Sequence, residues 1–392
     1  MNPFSLARTA GIAVLIHLIS SIPGSAVPSE PPASPQVAAA MQPYLDSHKL
    51  AGIIGIVADR EGKVRYRNIA GYADAEAKKP ISEDNVFWVA SMSKMFVGAS
   101  IMLLADEGKI SLDDPVAKFI PELGKWMVVT EKDPDHILLK PLARPVTIRH
   151  ILSHTSGLTG LSELQQLAGA DTTSLKARAI PSVTGPLQAQ PGEKYAYGNQ
   201  GMNIAARIVE ILSGMPYEQF LQQRFFDPLE MKETTFWPSE AQIARLANAY
   251  GPNKDGSACV RGSVGFLTPP FSDRAHRFPE AGGGLFSTTH DILRYGMMLA
   301  NNGELAGKRY LSPAAMDELR KEQTGTTKLN YSLGYHLRNG MFGHDGAYGT
   351  DLSVNPKTGM IAIFMVQCTS GDQWKARDQF LQAATEAFSK PE

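Results

Sequence analysis

The chain has 392 residues, 43% of them hydrophobic, enough to bury a large core with room for two packed regions. Its 38 Lys and Arg nearly balance 39 Asp and Glu, which excludes the basic footprint of a nucleic-acid binder and leaves no polyanionic face.

The first 26 residues read as a secretory signal: Arg8 supplies the positive end, Gly11 to Ile22 is mostly apolar, and Gly24-Ser25-Ala26 is a small-residue cleavage site. The apolar run is too short to cross a bilayer, so the expectation is a periplasmic or secreted protein with no membrane span after signal cleavage. Residues 27–36 are proline-rich and read as an extended linker. An oxidising compartment permits a disulfide, and the chain has two cysteines, Cys259 and Cys368, whose proximity the sequence leaves open.

Ile53 to Ala58 and Val64 to Ala70 flank Asp59-Arg60-Glu61-Gly62-Lys63, a hairpin signature. The apolar run Val86-Phe87-Trp88-Val89-Ala90 then leads into Ser91-Met92-Ser93-Lys94, which opens an apolar helical pattern to about Leu104. A serine and a lysine three residues apart on a helix share a face. An amine is thereby within reach of a hydroxyl that is a weak nucleophile alone, and the helix N-terminus favours negative charge there. The segment Pro191 to Asn199 is a loop with Tyr197 and Asn199 just before a helical pattern from about Met202 to Leu212. A phenol beside a lysine ammonium is expected to have its ionised form favoured, and Asn199 offers both a donor and an acceptor. Thr288 and Asp291 cap a further helix.

Near the C-terminus, Gly343-His344-Asp345-Gly346-Ala347 precedes strand candidates at 348–354 and 360–367, so the His-Asp-Gly is placed at or near the start of a hairpin strand. A glycine there allows close approach of a ligand, and the N–H of Ala347 can pair with that of Ser91 as an oxyanion hole. A strand at 332–337 and a helix from Gln373 to Phe388 complete the pattern. The fold class expected is α+β: an antiparallel sheet flanked by helices, built from residues 37–90 and 285–390, with a mostly helical insertion at 91–284 and the site in the cleft between.

S-x-x-K, Y-x-N and H-x-G in this order resemble the serine β-lactamase and penicillin-binding-protein superfamily, in its class C β-lactamase, D,D-peptidase and esterase branch. Ile148 to Leu158 and Ala281 to Thr288 are similar to family segments, and Asp227-Pro228-Leu229-Glu230-Met231 is similar to one in which glycine stands where this chain has Glu230. The similarity runs from about Gln36 to Phe388. It implies a β-lactamase/transpeptidase-like fold, Ser91 as nucleophile, Lys94 and Tyr197 as proton-handling partners, and the N–H groups of Ser91 and Ala347 as oxyanion hole. Asn199, His344, Asp345 and Gly346 are the implied substrate-binding residues. Tyr197 is the expected base for hydrolysis of the acyl-enzyme, and the chemistry needs no metal and no organic cofactor.

His150 and His154 stand i,i+4, but no H-E-x-x-H accompanies them and they read as packing and hydrogen-bonding groups. Asp345 occupies the position where the family commonly bears a hydroxyl that helps hold a β-lactam carboxylate. Like charges at contact distance repel, so carboxylic esters or small amides are the expected substrates. β-Lactamase or D,D-peptidase/D-aminopeptidase activity is the alternative, and a catalytically silent penicillin-binding or receptor-like protein a third. The partner is a small-molecule ester, amide or β-lactam, with no nucleic acid; the sequence leaves oligomeric state open.

Overall fold

The computed structural model describes residues 34–158, 174–176, 185–256, 259–265, 267 and 269–388. The signal at 1–26 and residues 27–33 of the linker lie outside the described residues. The linker expectation is corrected at its end: helix α1 (Pro35–Asp46) begins there, because the Ser34 side chain accepts from the Val37 N–H and proline at the first helical position is pre-set for the turn.

The main sheet has seven strands: β1 (Gly52–Ala58), β2 (Val64–Asp74), β3 (Lys79–Pro80), β4 (His336–Arg338), β5 (Met341–Asp345), β6 (Asp351–Val354) and β7 (Ile361–Met365). Their order is β4-β5-β6-β7-β1-β2-β3, so the earliest and latest strands meet, antiparallel, with Ile56 opposite Ile363. β1 is buried along its whole length. Its side chains alternate between two cores. Ile53 and Val57 join Val37 and Met41 from α1, Phe364 from β7 and Phe380 from α7 (Asp372–Phe388). Ile54 and Ile56 join Met95, Phe96, Ile292 and Leu352 on the other face. Burying each such side chain contributes roughly 1.5–3 kcal/mol.

The second face is covered by α2 (Ser93–Asp106), α3 (Ile148–Leu152), α4 (Gln200–Ser213), α5 (Thr289–Ala300) and α6 (Pro313–Arg320), in part through one another. α2 is apolar nearly all round, and its residues from Ser93 to Met102 are all buried, as such a helix requires. The stretch expected to be mostly helical also carries two hairpins, at Met127–Pro141 and Tyr250–Arg261. The His-Asp-Gly placement is corrected: His344 and Asp345 end their own strand, β5, before the turn into β6. The alternating apolar signal of β5 is only Met341-Phe342, too short to announce a strand without its partners. Glu230, where the similar family segment has glycine, has φ 59°, the left-handed conformation that favours glycine. Among the described residues, no helix is long and apolar enough to cross a membrane.

Candidate active site

The nucleophile candidate is delivered by a short strand. Phe87 and Trp88 pair with Ser287 and Phe286, and the Trp88 indole donates to the Gly283 carbonyl at 2.7 Å. Ala90 follows with φ 46°, a conformation that strains a residue bearing a Cβ. The chain then turns through Ala90–Met92 in a 3₁₀ turn that runs straight into α2. This geometry sets Ser91 and Lys94 one helical turn apart, with Lys94 Nζ 3.0 Å from Ser91 Oγ.

Lys94 is 0% exposed. Its Nζ also donates to Asn199 Oδ1 at 2.8 Å and to the Gly282 carbonyl at 2.5 Å. Burial pulls the lysine down from its ordinary value to about 7, against the opposing pull of Glu280 and Asp345. The consequence is chemical. A neutral amine has two hydrogens and one lone pair. Asn199 Oδ1 and the Gly282 carbonyl accept only, so they take both hydrogens, and the lone pair is left facing Ser91. Gly282 is required at its position, because a Cβ there would lie 2.6 Å from Asn199 Oδ1.

Tyr197 sits over this pair, with Lys94 Nζ 4.6 Å from the centre of its ring. As a residue it is 45% exposed, yet protein crowds its hydroxyl and pushes the phenol up from its ordinary value; a hydrogen bond with Ser91 opposes this only in part. The expected preference for the ionised phenol is therefore corrected. Burial disfavours the charged form of the lysine as well as of the phenol, so the pull of an ammonium on Tyr197 is weakened.

His344 lies on the other side of Tyr197, their ring centres 6.2 Å apart. Its Nδ1 is 2.6 Å from the Asp345 carbonyl, and its Nε2 is 3.0 Å from Tyr331 Oη. Tyr331 Oη is in turn 3.1 Å from His154 Nε2. Burial holds both imidazoles well below their ordinary value, hence neutral. The tautomers then follow from the acceptors. A carbonyl only accepts, so His344 Nδ1 carries the hydrogen and its Nε2 accepts from the Tyr331 hydroxyl. The Tyr331 oxygen accepts from His154 Nε2–H. His154 also stacks on Tyr197 at 4.6 Å, so this chain of bonds braces the phenol. His150 instead caps α3, its ring accepting from the Thr147 N–H at 3.1 Å, consistent with a structural role for both histidines.

Asp345 is tied down by two arginines, Arg338 and, at 2.5 Å, Arg377 of α7. Burial raises its pKa, but Arg338, His336 and Arg377 outweigh burial and hold the carboxyl below its ordinary value. Its charge is thus cancelled where it stands, and the expectation that it repels a substrate carboxylate loses its basis. His336, His344 and Asp345 bring three ligand-type atoms within 4.8 Å. Both His344 nitrogens are engaged and two guanidiniums already hold the carboxylate, so this donor set is an ion-pair network unfavourable to another cation.

Gly346 closes the turn against the nucleophile strand. A Cβ there would meet Thr350 Oγ1 at 2.2 Å and the Val89 carbonyl at 2.3 Å. Among the described residues, neither the Ser91 N–H nor the Ala347 N–H donates to a backbone acceptor, as an oxyanion hole requires. Ser91, Lys94, Tyr197, Asn199 and His344 therefore sit in one neighbourhood, with Asp345, Gly346 and Ala347 on the strand end and turn that follow His344. Sequence reasoning missed Tyr331, the Gly282 carbonyl, Arg338 and Arg377. Only Gly282 carried a signal, inside the glycine run beside Ala281.

Comparison with known proteins gives a consistent picture. The family model described as Beta-lactamase matches residues 37–386. Protein Rv1367c of Mycobacterium tuberculosis is 29% identical over 367 residues, covering 84% of this chain and 88% of its own. The lovastatin esterase of Penicillium rubens is 30% identical over 298 residues, covering 72% of each chain. The solved structure of EstCE1, a hydrolase with promiscuous acyltransferase activity, has the same fold, with a TM-score of 0.72, 22% identity, and coverage of 88% of this chain and 97% of that one. These relatives and this fold support a serine hydrolase.

Proposed function

Because the chain belongs to the Beta-lactamase family, we propose that it hydrolyses carboxylic esters through an acyl-enzyme on Ser91. The observation that carries this reading is the buried Lys94, whose two acceptors leave its lone pair for the Ser91 hydroxyl. In the first half-reaction Lys94 Nζ takes the hydroxyl proton as Ser91 Oγ attacks the ester carbonyl. The oxyanion forms against the N–H groups of Ser91 and Ala347. The un-ionised Tyr197 hydroxyl gives its proton to the leaving alkoxide, and the phenol is reprotonated from Lys94. In the second half-reaction water attacks the acyl carbon. Its proton passes through Tyr197 to Lys94, and Lys94 gives a proton to Ser91 Oγ as the acyl bond breaks, so Ser91 leaves as the hydroxyl and Lys94 ends neutral. Tyr197 is thus a relay with its proton on, and Lys94 is the base.

Esters are favoured because the lovastatin esterase is among the relatives. A second reading, acylation by β-lactams or small amides, is favoured by one observation: Asp345 is cancelled by Arg338 and Arg377, which removes the like-charge objection to a carboxylate. The leader-like first 26 residues support a periplasmic or secreted location.

The test is hydrolysis of short-chain p-nitrophenyl esters by wild type and Ser91→Ala, with mass spectrometry after a fluorophosphonate. One adduct on the Ser91 peptide and near-complete loss of turnover in Ser91→Ala are expected. Wild-type rates in the purified variant, or labelling of another residue, would remove Ser91 from the mechanism. Labelling without turnover on esters, a chromogenic cephalosporin or D-Ala-D-Ala peptides would make the protein a binder instead.

A further inference from the structure

The two cysteines, 109 residues apart in sequence, meet in space: Cys259 Sγ lies 2.9 Å from Cys368 Sγ. Cys368 is 2% exposed and Cys259 half-buried. Cys259 opens the strand Cys259–Arg261, paired with Tyr250–Pro252, and Tyr250 bridges Cys368 directly. Both sulfurs also face one backbone oxygen, that of Lys49, at 2.7 Å from Cys259 and 3.7 Å from Cys368. That carbonyl has another donor, the Ser370 hydroxyl at 3.4 Å, so it keeps a partner if the thiol hydrogens are lost.

The two segments converge on a single residue next to the oxyanion hole. The Cys368 N–H donates to the Tyr348 carbonyl at 2.9 Å. The segment following Cys259 grips the other end of the same residue: the Gly265 N–H donates to Tyr348 Oη at 2.8 Å, and that hydroxyl donates to the Ser263 carbonyl at 2.8 Å. Tyr348 follows Ala347 directly, and its ring packs on Trp88 at 5.1 Å. Trp88 belongs to the strand that delivers Ser91.

We propose that Cys259 and Cys368 are an oxidisable pair that forms a disulfide by exchange with a small-molecule disulfide, and that this cross-link locks the clamp on Tyr348 beside the catalytic turn. The exchange balances. The more exposed Cys259 loses its proton and attacks the external disulfide RSSR, releasing one thiolate and leaving a mixed disulfide. The Cys368 thiolate then attacks Cys259 Sγ, forms the internal bond and expels the second thiolate. Two protein thiols and RSSR give one protein disulfide and two RSH. Cys368 Sγ, 2.9 Å from Cys259 Sγ, already lies within reach of the mixed disulfide for the second step. A cross-link closing so long a loop restricts the unfolded chain strongly.

The test uses the full chain and oxidised glutathione. Native protein is incubated with it, unfolded in excess maleimide, and measured by intact mass and peptide mapping. The expected product carries no maleimide, weighs about 2 Da less than the dithiothreitol-treated chain, and yields a peptide joining Cys259 to Cys368. Its Tm should exceed that of the reduced protein by roughly 5 °C. The Tm of Cys259→Ser and of Cys368→Ser should not respond to dithiothreitol. Two maleimide adducts on the treated wild type, or glutathione adducts that persist without a joined peptide, would overturn the proposal. Because mass reads the bond itself, the result stands apart from the outcome of the ester assay.

Discussion

Lys94 Nζ donates to Asn199 Oδ1 at 2.8 Å across 105 residues of sequence, and that bond fixes which way the amine's lone pair points. The Gly282 carbonyl takes the second hydrogen, and Ser91 is left facing the free pair. The orientation of the Lys94 lone pair toward Ser91 thus depends on two acceptors far apart in the chain.

Asn199→Asp tests this directly. A carboxylate at hydrogen-bond distance favours the ammonium form, so Lys94 should rise from about 7. The acid limb of kcat/KM for a p-nitrophenyl ester should move up by about one pH unit or more, with ~10-fold lower activity at pH 7 that recovers toward pH 9. A limb that stays in place would show that Lys94 does not supply the titrating base.

Lys94 also links stability to pH. Its folded pKa of about 7 lies below its ordinary value of 10.5. Between those values the unfolded chain binds more protons than the folded one, so stability rises with pH in that window. Below the folded pKa the cost of charging the buried amine is fully present. Lys94→Met has no such group. The Tm difference between wild type and Lys94→Met should therefore shift in favour of wild type from pH 7 to pH 9.5. A difference independent of pH would mean that the folded lysine titrates near its ordinary value.

Tyr331→Phe removes the hydroxyl that joins His154 to His344. It leaves a buried N–H and a buried ring nitrogen without partners, at a cost of roughly 1–3 kcal/mol each. The brace on Tyr197 then loosens. The expected result is a stability loss of roughly 2–6 kcal/mol in urea unfolding and a kcat lower by roughly 10-fold, with KM nearly unchanged. A rise in KM at constant kcat would place Tyr331 in substrate binding instead.

Asp345→Thr removes a carboxylate shared by two guanidiniums, leaving Arg338 with Asp351 and Arg377 with Asp378. The gain for a carboxylate-bearing substrate then comes from positive charge no longer balanced by Asp345, since Asp345 is already neutralised. Penicillin acylation relative to ester hydrolysis should rise about 10-fold or more, and the advantage should shrink in high salt. Tm should fall, because Arg377 is buried and loses a partner. An unchanged ratio would place the Arg338–Arg377 pair away from the bound substrate.

Local chemistry made part of this legible in the sequence. Ser91 and Lys94 were readable as neighbours because their spacing lies within one helical turn, and Tyr197 and Asn199 because a Pro-Gly loop runs into a helical pattern. The β1–β2 hairpin, α4, α5 and α7 could be read for the same reason: caps, turns and periodicity act over a few residues. β5 was missed because its short run has no pattern without the flanking strands, and α1 because its start depends on one serine cap among prolines.

The ionisation of the site was decided by tertiary structure alone. The Ser-x-x-Lys spacing brings an amine to a hydroxyl, but only the packing of α2 on every side pulls that amine down to about 7, where its neutral form is available. The same burial keeps the proton on Tyr197. Asp345 reads in sequence as a bare negative charge, and Arg377, 32 residues on, cancels it. Tyr331 and the Cys259–Cys368 pair carry no pattern at all. Spacing fixes which side chains share a turn of backbone; protonation and pairing depend on the solvent excluded and the charges gathered by segments far apart in the chain, and these exist only once the sheet has joined its two ends.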